Sequence, residues 1–135
     1  MSGAEKLLDK LKDEFRLFVT SNGVYKVTRS RLQLSGCIDI FENVFISERI
    51  GVEKPNPDFL NIACSSIEGF NKERAVIVGD SLTSDILEGI NFGIKTIWFN
   101  CRNRNGREDV KPDYVIYSLD ELPELLHLIF KTSDN

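Results

Sequence analysis

The stretch "VIVGDSLTSDILEGINFG", residues 76–93, decides the fold class of this chain. It opens with a short apolar run that is typical of a strand buried on both faces, and this run ends at Gly79. Two acids follow, Asp80 and Asp85, and between them begins the apolar spacing of an amphipathic helix that Gly93 is suited to end. The stretch therefore predicts a strand, a tight turn that carries two carboxylates, and a helix.

The same alternation of strand and helix runs along the rest of the chain. Further strands are predicted in "RLFVTS" (16–21), "FENVFIS" (41–47), "IKTIWF" (94–99) and "DYVIY" (113–117), and helices over 24–34, after the Asn56 cap, and over about 123–131. Strands and helices that alternate with short connections predict a parallel sheet covered by helices. We therefore expect an α/β three-layer sandwich that forms a single domain over residues 1–135.

Composition excludes several classes of function. The net charge of −4 and the pI near 5.1 give no general attraction to nucleic acid or to an anionic membrane. The first residues, "MSGAEKLLDKLKDEF", carry charges throughout, so we expect neither a signal peptide nor a membrane span. Three cysteines without a C-x-x-C spacing argue against a disulfide framework or a structural zinc site. These features predict a cytoplasmic protein.

Polar residues at the end of the first predicted strand suggest a phosphate site, because ligands of such sheets bind at the carboxyl ends of the strands. Ser21 presents a hydroxyl there, and the backbone N–H groups of Asn22 and Gly23 follow at a helix start, an arrangement that binds anions. The alternative is a β-hairpin, for which Asn-Gly is a strong signal. Three consecutive apolar residues before Thr20 favour the buried strand.

A lysine and two acids at later strand ends extend this site. Lys54 precedes Pro55, which stiffens the backbone, so its ammonium can be held over a site. The alternative is an ordinary surface lysine. Asp80 and Asp85 suit Mg²⁺, which takes oxygen ligands and keeps several waters. The alternative is that acids are favoured at a helix N-terminus by the helix dipole. This explains the presence of one of the two aspartates better than the presence of both. A hydroxyl, a lysine and an acid pair at one sheet edge suit phosphoryl transfer.

These residues resemble the motifs of the haloacid dehalogenase superfamily over roughly residues 7–126. Ser21 in "VTSNG" is similar to its second motif, which binds phosphate, and Lys54 in "EKPNP" is similar to its third, which implies a catalytic lysine. Asp80 and Asp85 in "GDSLTSD" resemble its fourth, the acidic metal motif. The resemblance implies a Rossmann-like core and a Mg²⁺-dependent phosphatase of the nucleotidase and small-metabolite branch. Asp80 favours a phosphatase over a dehalogenase, because the dehalogenases use no metal and usually lack this acid.

The chain departs from the family pattern at the first motif. That motif is D-x-D at the end of the central strand, where its first aspartate is the nucleophile, and no D-x-D follows an apolar run here. The helical cap domain is also missing, so the chain looks like the C-terminal portion of such an enzyme. The resemblance places the missing strand between "RLFVTS" and "RAVIVGD". Either these two strands pair directly, or another copy, a separate N-terminal fragment or a rearranged segment fills the gap.

We therefore expect a Mg²⁺-dependent phosphatase by lineage, acting on a nucleotide or sugar phosphate and inactive as this chain alone for lack of the nucleophilic aspartate. The expected partners are a small phosphorylated metabolite and either a further copy of the chain or a complementing N-terminal fragment. The alternative is a non-catalytic remnant or fragment that binds phosphate or metal weakly, or serves in assembly. A phospho-acceptor domain would carry its motifs in the opposite order, and a dinucleotide-binding domain would need G-x-G-x-x-G.

Overall fold

The computed structural model describes residues 3–36 and 38–130, and the chain divides into two compact units, Met1–Lys54 and Pro55–Asn135. Both units combine helices with parallel strands, which confirms the predicted α/β class. The described strands form two sheets, one of two strands and one of three.

The first unit is built on a parallel pair of strands. Its helices and strands are α1 (Gly3–Leu11), β1 (Phe18–Ser21), α2 (Tyr25–Ser35), β2 (Asn43–Ile46) and α3 (Ser47–Ile50), with a 3₁₀ turn at Ile38–Ile40. β1 pairs with β2 in a register that sets Ser21 beside Ile46. Val44, Phe45 and Ile46 of β2 are buried. The predicted strand in "RLFVTS" is thus present and leads into a helix, so the hairpin alternative at Asn22-Gly23 is wrong.

The second unit holds the three-stranded parallel sheet, in the order β3–β4–β5. Its helices and strands are α4 (Asp58–Ser65), β3 (Val76–Gly79), α5 (Leu87–Phe92), β4 (Lys95–Phe99), β5 (Tyr114–Ile116) and α6 (Leu122–Phe130), with 3₁₀ turns at Lys72–Arg74 and Leu119–Glu121 and a π-helical turn at Leu82–Ile86. The buried apolar residues of this unit are Phe59, Leu60, Ala63, Ile77, Leu82, Ile86, Phe92, Ile97, Trp98, Val110, Ile116, Leu122 and Leu126.

A side-chain hydrogen bond explains one helix end, and the conformation of a glycine explains another. The Asp58 N–H donates to Asn56 Oδ1 at 3.0 Å, so Asn56 caps α4 as predicted. Gly93 ends α5 with a φ of 93°, a left-handed conformation that glycine adopts without strain. The last predicted helix corresponds to α6, while its predicted final residue, Lys131, lies outside the described residues.

Two expectations from composition concern the whole chain. Within residues 3–36 and 38–130, no helix is long and apolar enough to cross a membrane. Cys64 and Cys101 are free thiols, while Cys37 lies outside the described residues.

Candidate active site

The ammonium of Lys54 is buried at the end of β1. Its residue is only 6% exposed, and Nζ donates to the Thr20 carbonyl at 3.1 Å and to Thr20 Oγ1 at 3.2 Å. A charge taken out of water is tolerated only where polar partners replace the water. Lys54 is therefore held at a fixed place against Thr20, the residue before Ser21. The alternative of an ordinary surface lysine is wrong.

Asn22 holds the backbone of Lys54 through two hydrogen bonds. The Lys54 N–H donates to Asn22 Oδ1 at 2.8 Å, and Asn22 Nδ2 donates to the Lys54 carbonyl at 2.9 Å. The amide thus pairs with both polar groups of one residue 32 positions along the chain. Asn22 and Lys54 form a single constellation, in which the Asn22 side chain places the lysine.

The start of α2 is already occupied by side chains of the same unit. The Gly23 N–H donates to Ser47 Oγ at 3.0 Å, and the Tyr25 N–H donates to Glu48 Oε1 at 2.9 Å. A phosphate on Ser21 would have to take over the Gly23 N–H from Ser47, because each N–H makes one strong bond. The roles of Ser21, Asn22 and Gly23 in phosphate binding stay predictions.

In the second unit, the acid pair lies on the turn that follows β3. A Cβ on Gly79 would overlap the Cβ and carboxylate of Asp85, so only glycine lets this side chain lie against the strand end. Ser81 Oγ accepts from the Ser84 N–H at 3.2 Å, and the Ile86 N–H donates to the Ser81 carbonyl at 3.1 Å. The second bond spans five residues and opens the first turn into a π-helix, a form that is frequent at functional sites.

A tryptophan from the neighbouring strand supports the same turn. Gly79 lies beside Trp98 in the register of β3 and β4. The Trp98 indole Nε1 donates to the main-chain carbonyl of Asp80 at 3.1 Å. Asp80 is exposed and Asp85 is half-buried, so both carboxylates can reach solvent.

The donor set fits a hard cation bound through few protein ligands. Asp80 and Asp85 offer carboxylate oxygens, and the space at Gly79 admits the Asp85 carboxylate. Among the described residues, no cluster of three or more His, Cys, Asp or Glu side chains could enclose a metal ion. Mg²⁺ commonly binds one or two carboxylates and retains its other waters, so it suits this pair.

The predicted residues thus fall into two groups. Ser21, Asn22, Gly23 and Lys54 belong to the first unit, and Asp80 and Asp85 belong to the second. The structure joins Asn22 to Lys54 within the first group and places Asp85 against the strand end within the second.

Sequence reasoning missed three residues that hold the predicted ones in place. Thr20 binds the Lys54 ammonium, Ser47 binds the Gly23 N–H, and Trp98 binds the Asp80 carbonyl. Thr20 could have been found from its position, because it is a polar residue beside Ser21 at a strand end. Nothing in the local sequence of Trp98 indicates its bond, which crosses 18 positions of the chain.

Comparison with known proteins gives consistent matches. The family of haloacid dehalogenase-like hydrolases matches residues 1–99. Pyrimidine 5'-nucleotidase PynA of Streptococcus pneumoniae is 39% identical over 127 residues, covering 93% of this chain and 54% of that protein. Pyrimidine 5'-nucleotidase YjjG of Escherichia coli is 35% identical over 126 residues, covering 93% of this chain and 56% of that protein.

A solved structure matches equally widely. The crystal structure of the HAD-hydrolase YfnB of Bacillus subtilis, bound to magnesium, superimposes with a TM-score of 0.90 at 35% identity. The match covers 93% of this chain and 55% of that one. The chain therefore spans about half the length of the relatives it matches.

Proposed function

Because the chain belongs to the family of haloacid dehalogenase-like hydrolases, we propose that it carries the phosphate-holding and metal-holding parts of a Mg²⁺-dependent phosphatase. The reaction is hydrolysis of a phosphomonoester. In this proposal Ser21 and Lys54 hold the phosphate, Lys54 as a catalytic residue, while Asp80 and Asp85 hold the cation.

The buried ammonium of Lys54 is the observation that carries the proposal. Its bonds to Thr20 and the double pairing of its backbone with Asn22 fix a positive charge at Thr20, the residue before Ser21. A charge fixed in advance stabilises the developing charge of a transferring phosphoryl group without reorganising at the moment of reaction. An exposed lysine would lose part of this effect to solvent.

The acid pair supplies the second part of the proposed site, the ligands for the metal ion. When bound, Mg²⁺ neutralises phosphoryl charge as a Lewis acid. Asp80 and Asp85 provide the oxygen ligands for it, Asp85 from within the π-helical turn Leu82–Ile86 and Asp80 from just before it. With only two carboxylates from this chain, we expect the affinity for the metal to be weak.

We propose that the substrate is a small phosphorylated metabolite, either a nucleoside monophosphate or a sugar phosphate. The names of two relatives, both pyrimidine 5'-nucleotidases, support the nucleotide. We place the reaction in the cytoplasm, where free thiols such as those of Cys64 and Cys101 persist.

We further propose that this chain by itself does not turn over phosphate esters. Covalent catalysis needs a nucleophile aimed at phosphorus, and the sequence of this chain contains no D-x-D. Of the other acids, Asp113 accepts from the Thr96 N–H at 2.9 Å and from Thr96 Oγ1 at 3.2 Å, and these bonds tie its carboxylate to β4. Asp39 is exposed on the 3₁₀ turn Ile38–Ile40. An N-terminal fragment that carries the nucleophile is the partner expected to restore activity.

The test is a Mg²⁺-dependent assay with p-nitrophenyl phosphate and a panel of nucleotides. We expect background rates for the chain alone, and turnover when a fragment with the D-x-D strand and cap of a relative is added. Lys54→Ala should abolish the restored turnover. Robust turnover by the chain alone that Lys54→Ala abolishes would contradict the proposed inactivity and direct attention to Asp39 and Asp113. Failure of any fragment to restore activity would favour the non-catalytic remnant.

A further inference from the structure

Trp98 contacts the acid-bearing turn through its polar edge. It is the only tryptophan in the sequence and is 6% exposed. Its indole N–H donates to the Asp80 carbonyl at 3.1 Å, at the point where the chain leaves β3. The first residue of the acid pair is therefore fixed by a bond from the neighbouring strand.

The ring of Trp98 packs on the other end of the same turn. It forms a buried cluster with Leu82, Ile86 and Val110. Leu82 and Ile86 are the first and last residues of the π-helical turn, and Ile86 directly follows Asp85. One side chain thus restrains the backbone at Asp80 by a hydrogen bond and the backbone at Asp85 by packing.

We propose that Trp98 is a positioning residue for the divalent cation held by Asp80 and Asp85, an inference that rests on the proposed function of that pair. Two carboxylates on a loose turn must be ordered when the ion binds, and this ordering lowers affinity. A turn held by Trp98 beforehand avoids that loss. Val110, on the loop after β4, belongs to the same buried cluster.

Trp98→Phe isolates the hydrogen bond, because phenylalanine keeps an aromatic ring in the cluster and has no N–H. One net hydrogen bond corresponds to a roughly threefold to tenfold loss of affinity. The probe is Mn²⁺, with the free ion counted by electron paramagnetic resonance, on the full chain. We expect saturable binding by the wild type, its loss in Asp80→Asn, and binding weaker by about that factor in Trp98→Phe.

Ile77→Val is the matched control for general loosening of the sheet. Ile77 is buried on β3 and lies against α5 at Gly89, so this change weakens packing in the same unit without removing a bond to the turn. We expect its affinity for Mn²⁺ to equal that of the wild type. Equal weakening in Ile77→Val and Trp98→Phe would overturn the positioning role.

Two further readouts separate this inference from the proposed function. The single indole N–H resonance should shift on adding Mg²⁺ to the wild type and stay in place in Asp80→Asn. Without metal, amide hydrogen exchange over residues 81–86 should accelerate in Trp98→Phe and not in Ile77→Val. Binding that survives Asp80→Asn would contradict the proposed metal site. Unchanged exchange in Trp98→Phe would overturn the role of Trp98, whether or not the wild type binds Mn²⁺.

Discussion

At the scale of single residues, the placement of Lys54 depends on one amide side chain. Lysines are seldom fully buried because the ammonium is strongly hydrated in water. Here Thr20 supplies two oxygens to the ammonium, and Asn22 fixes the backbone from which the side chain extends. Asn22, whose backbone N–H is predicted from the sequence to bind phosphate, therefore also supports Lys54, the candidate catalytic residue.

Asn22→Ala should destabilise the chain by about 1–3 kcal/mol, because it removes two hydrogen bonds worth about 0.5–1.5 kcal/mol each. Asn22→Asp keeps the acceptor for the Lys54 N–H and loses the donor to the Lys54 carbonyl, so its loss should be intermediate. Urea denaturation of the three proteins measures the series. Equal stability of Asn22→Ala and the wild type would show that the pairing is not held in solution.

Cys64 and Cys101 should differ sharply in alkylation. Burial, with a smaller contribution from the nearby Glu88, raises the pKa of the Cys64 thiol to about 11, while Lys72 opposes the rise. At pH 8 roughly one Cys64 thiol in a thousand is ionised, and only the thiolate reacts. Iodoacetamide at pH 8 should therefore modify exposed Cys101 well before Cys64, and the Cys64 rate should climb with pH towards 11. Peptide mass mapping that finds equal rates at the two sites would contradict this burial.

At the scale of elements, a close approach of helix to sheet defines the second unit. A Cβ on Gly89 of α5 would come within 2.6 Å of Thr96 Cγ2 on β4 and would also meet Ile77 on β3. The helix therefore lies closer to the sheet than any other residue would permit. Since α5 continues directly from the turn that carries Asp85, this approach helps to set where the turn lies.

Gly89→Ala tests this packing, because two effects of opposite sign compete. Alanine favours a helix interior by about 1 kcal/mol over glycine. Overpacking of a filled core costs about 1–3 kcal/mol. The overlap with Ile77 and Thr96 leads us to expect a net loss of up to about 2 kcal/mol by thermal or urea unfolding. Ile90→Ala, at a residue 41% exposed on the same helix, is the control and should change stability less. A stabilised Gly89→Ala would contradict the close approach.

The sequence predicts the elements well and their side-chain bonds poorly, for a physical reason. Apolar runs and Gly93 indicate β3, β4 and the end of α5 because these signals are local. The family resemblance, which is confirmed, could be detected for the same reason, because its motifs are short and contiguous. The bonds from Trp98 to Asp80 and from Lys54 to Thr20 join residues far apart in sequence, so they depend on strand register and loop path. The short helix α3 and the π-helical turn were also not predicted, because neither has a distinct apolar period.

At the scale of the whole molecule, β1 and β3, which precede candidate site residues, are edge strands of their described sheets. Among the described strands, β1 pairs only with β2, and β3 pairs only with β4. An open strand edge presents unpaired N–H and carbonyl groups that can bind another strand.

We expect the chain to self-associate through such edges. Val78 on β3 is 36% exposed, so apolar surface accompanies the unpaired backbone. Sedimentation velocity over a range of concentrations should show dimers or larger species that increase with concentration. Adding the complementing N-terminal fragment should compete with this association. A clean monomer at high concentration would contradict the expectation.

The most direct test of the account is binding of inorganic phosphate to the chain in the presence of Mg²⁺, followed by isothermal titration. We expect saturable binding by the wild type and its loss in Lys54→Ala. Lys72→Ala is the matched control, because Lys72 Nζ also donates to a main-chain carbonyl, that of Phe92 at 2.8 Å, and lies outside the candidate site. It should bind phosphate as the wild type does. Phosphate binding that survives Lys54→Ala, or that Lys72→Ala weakens equally, would contradict the assignment of Lys54.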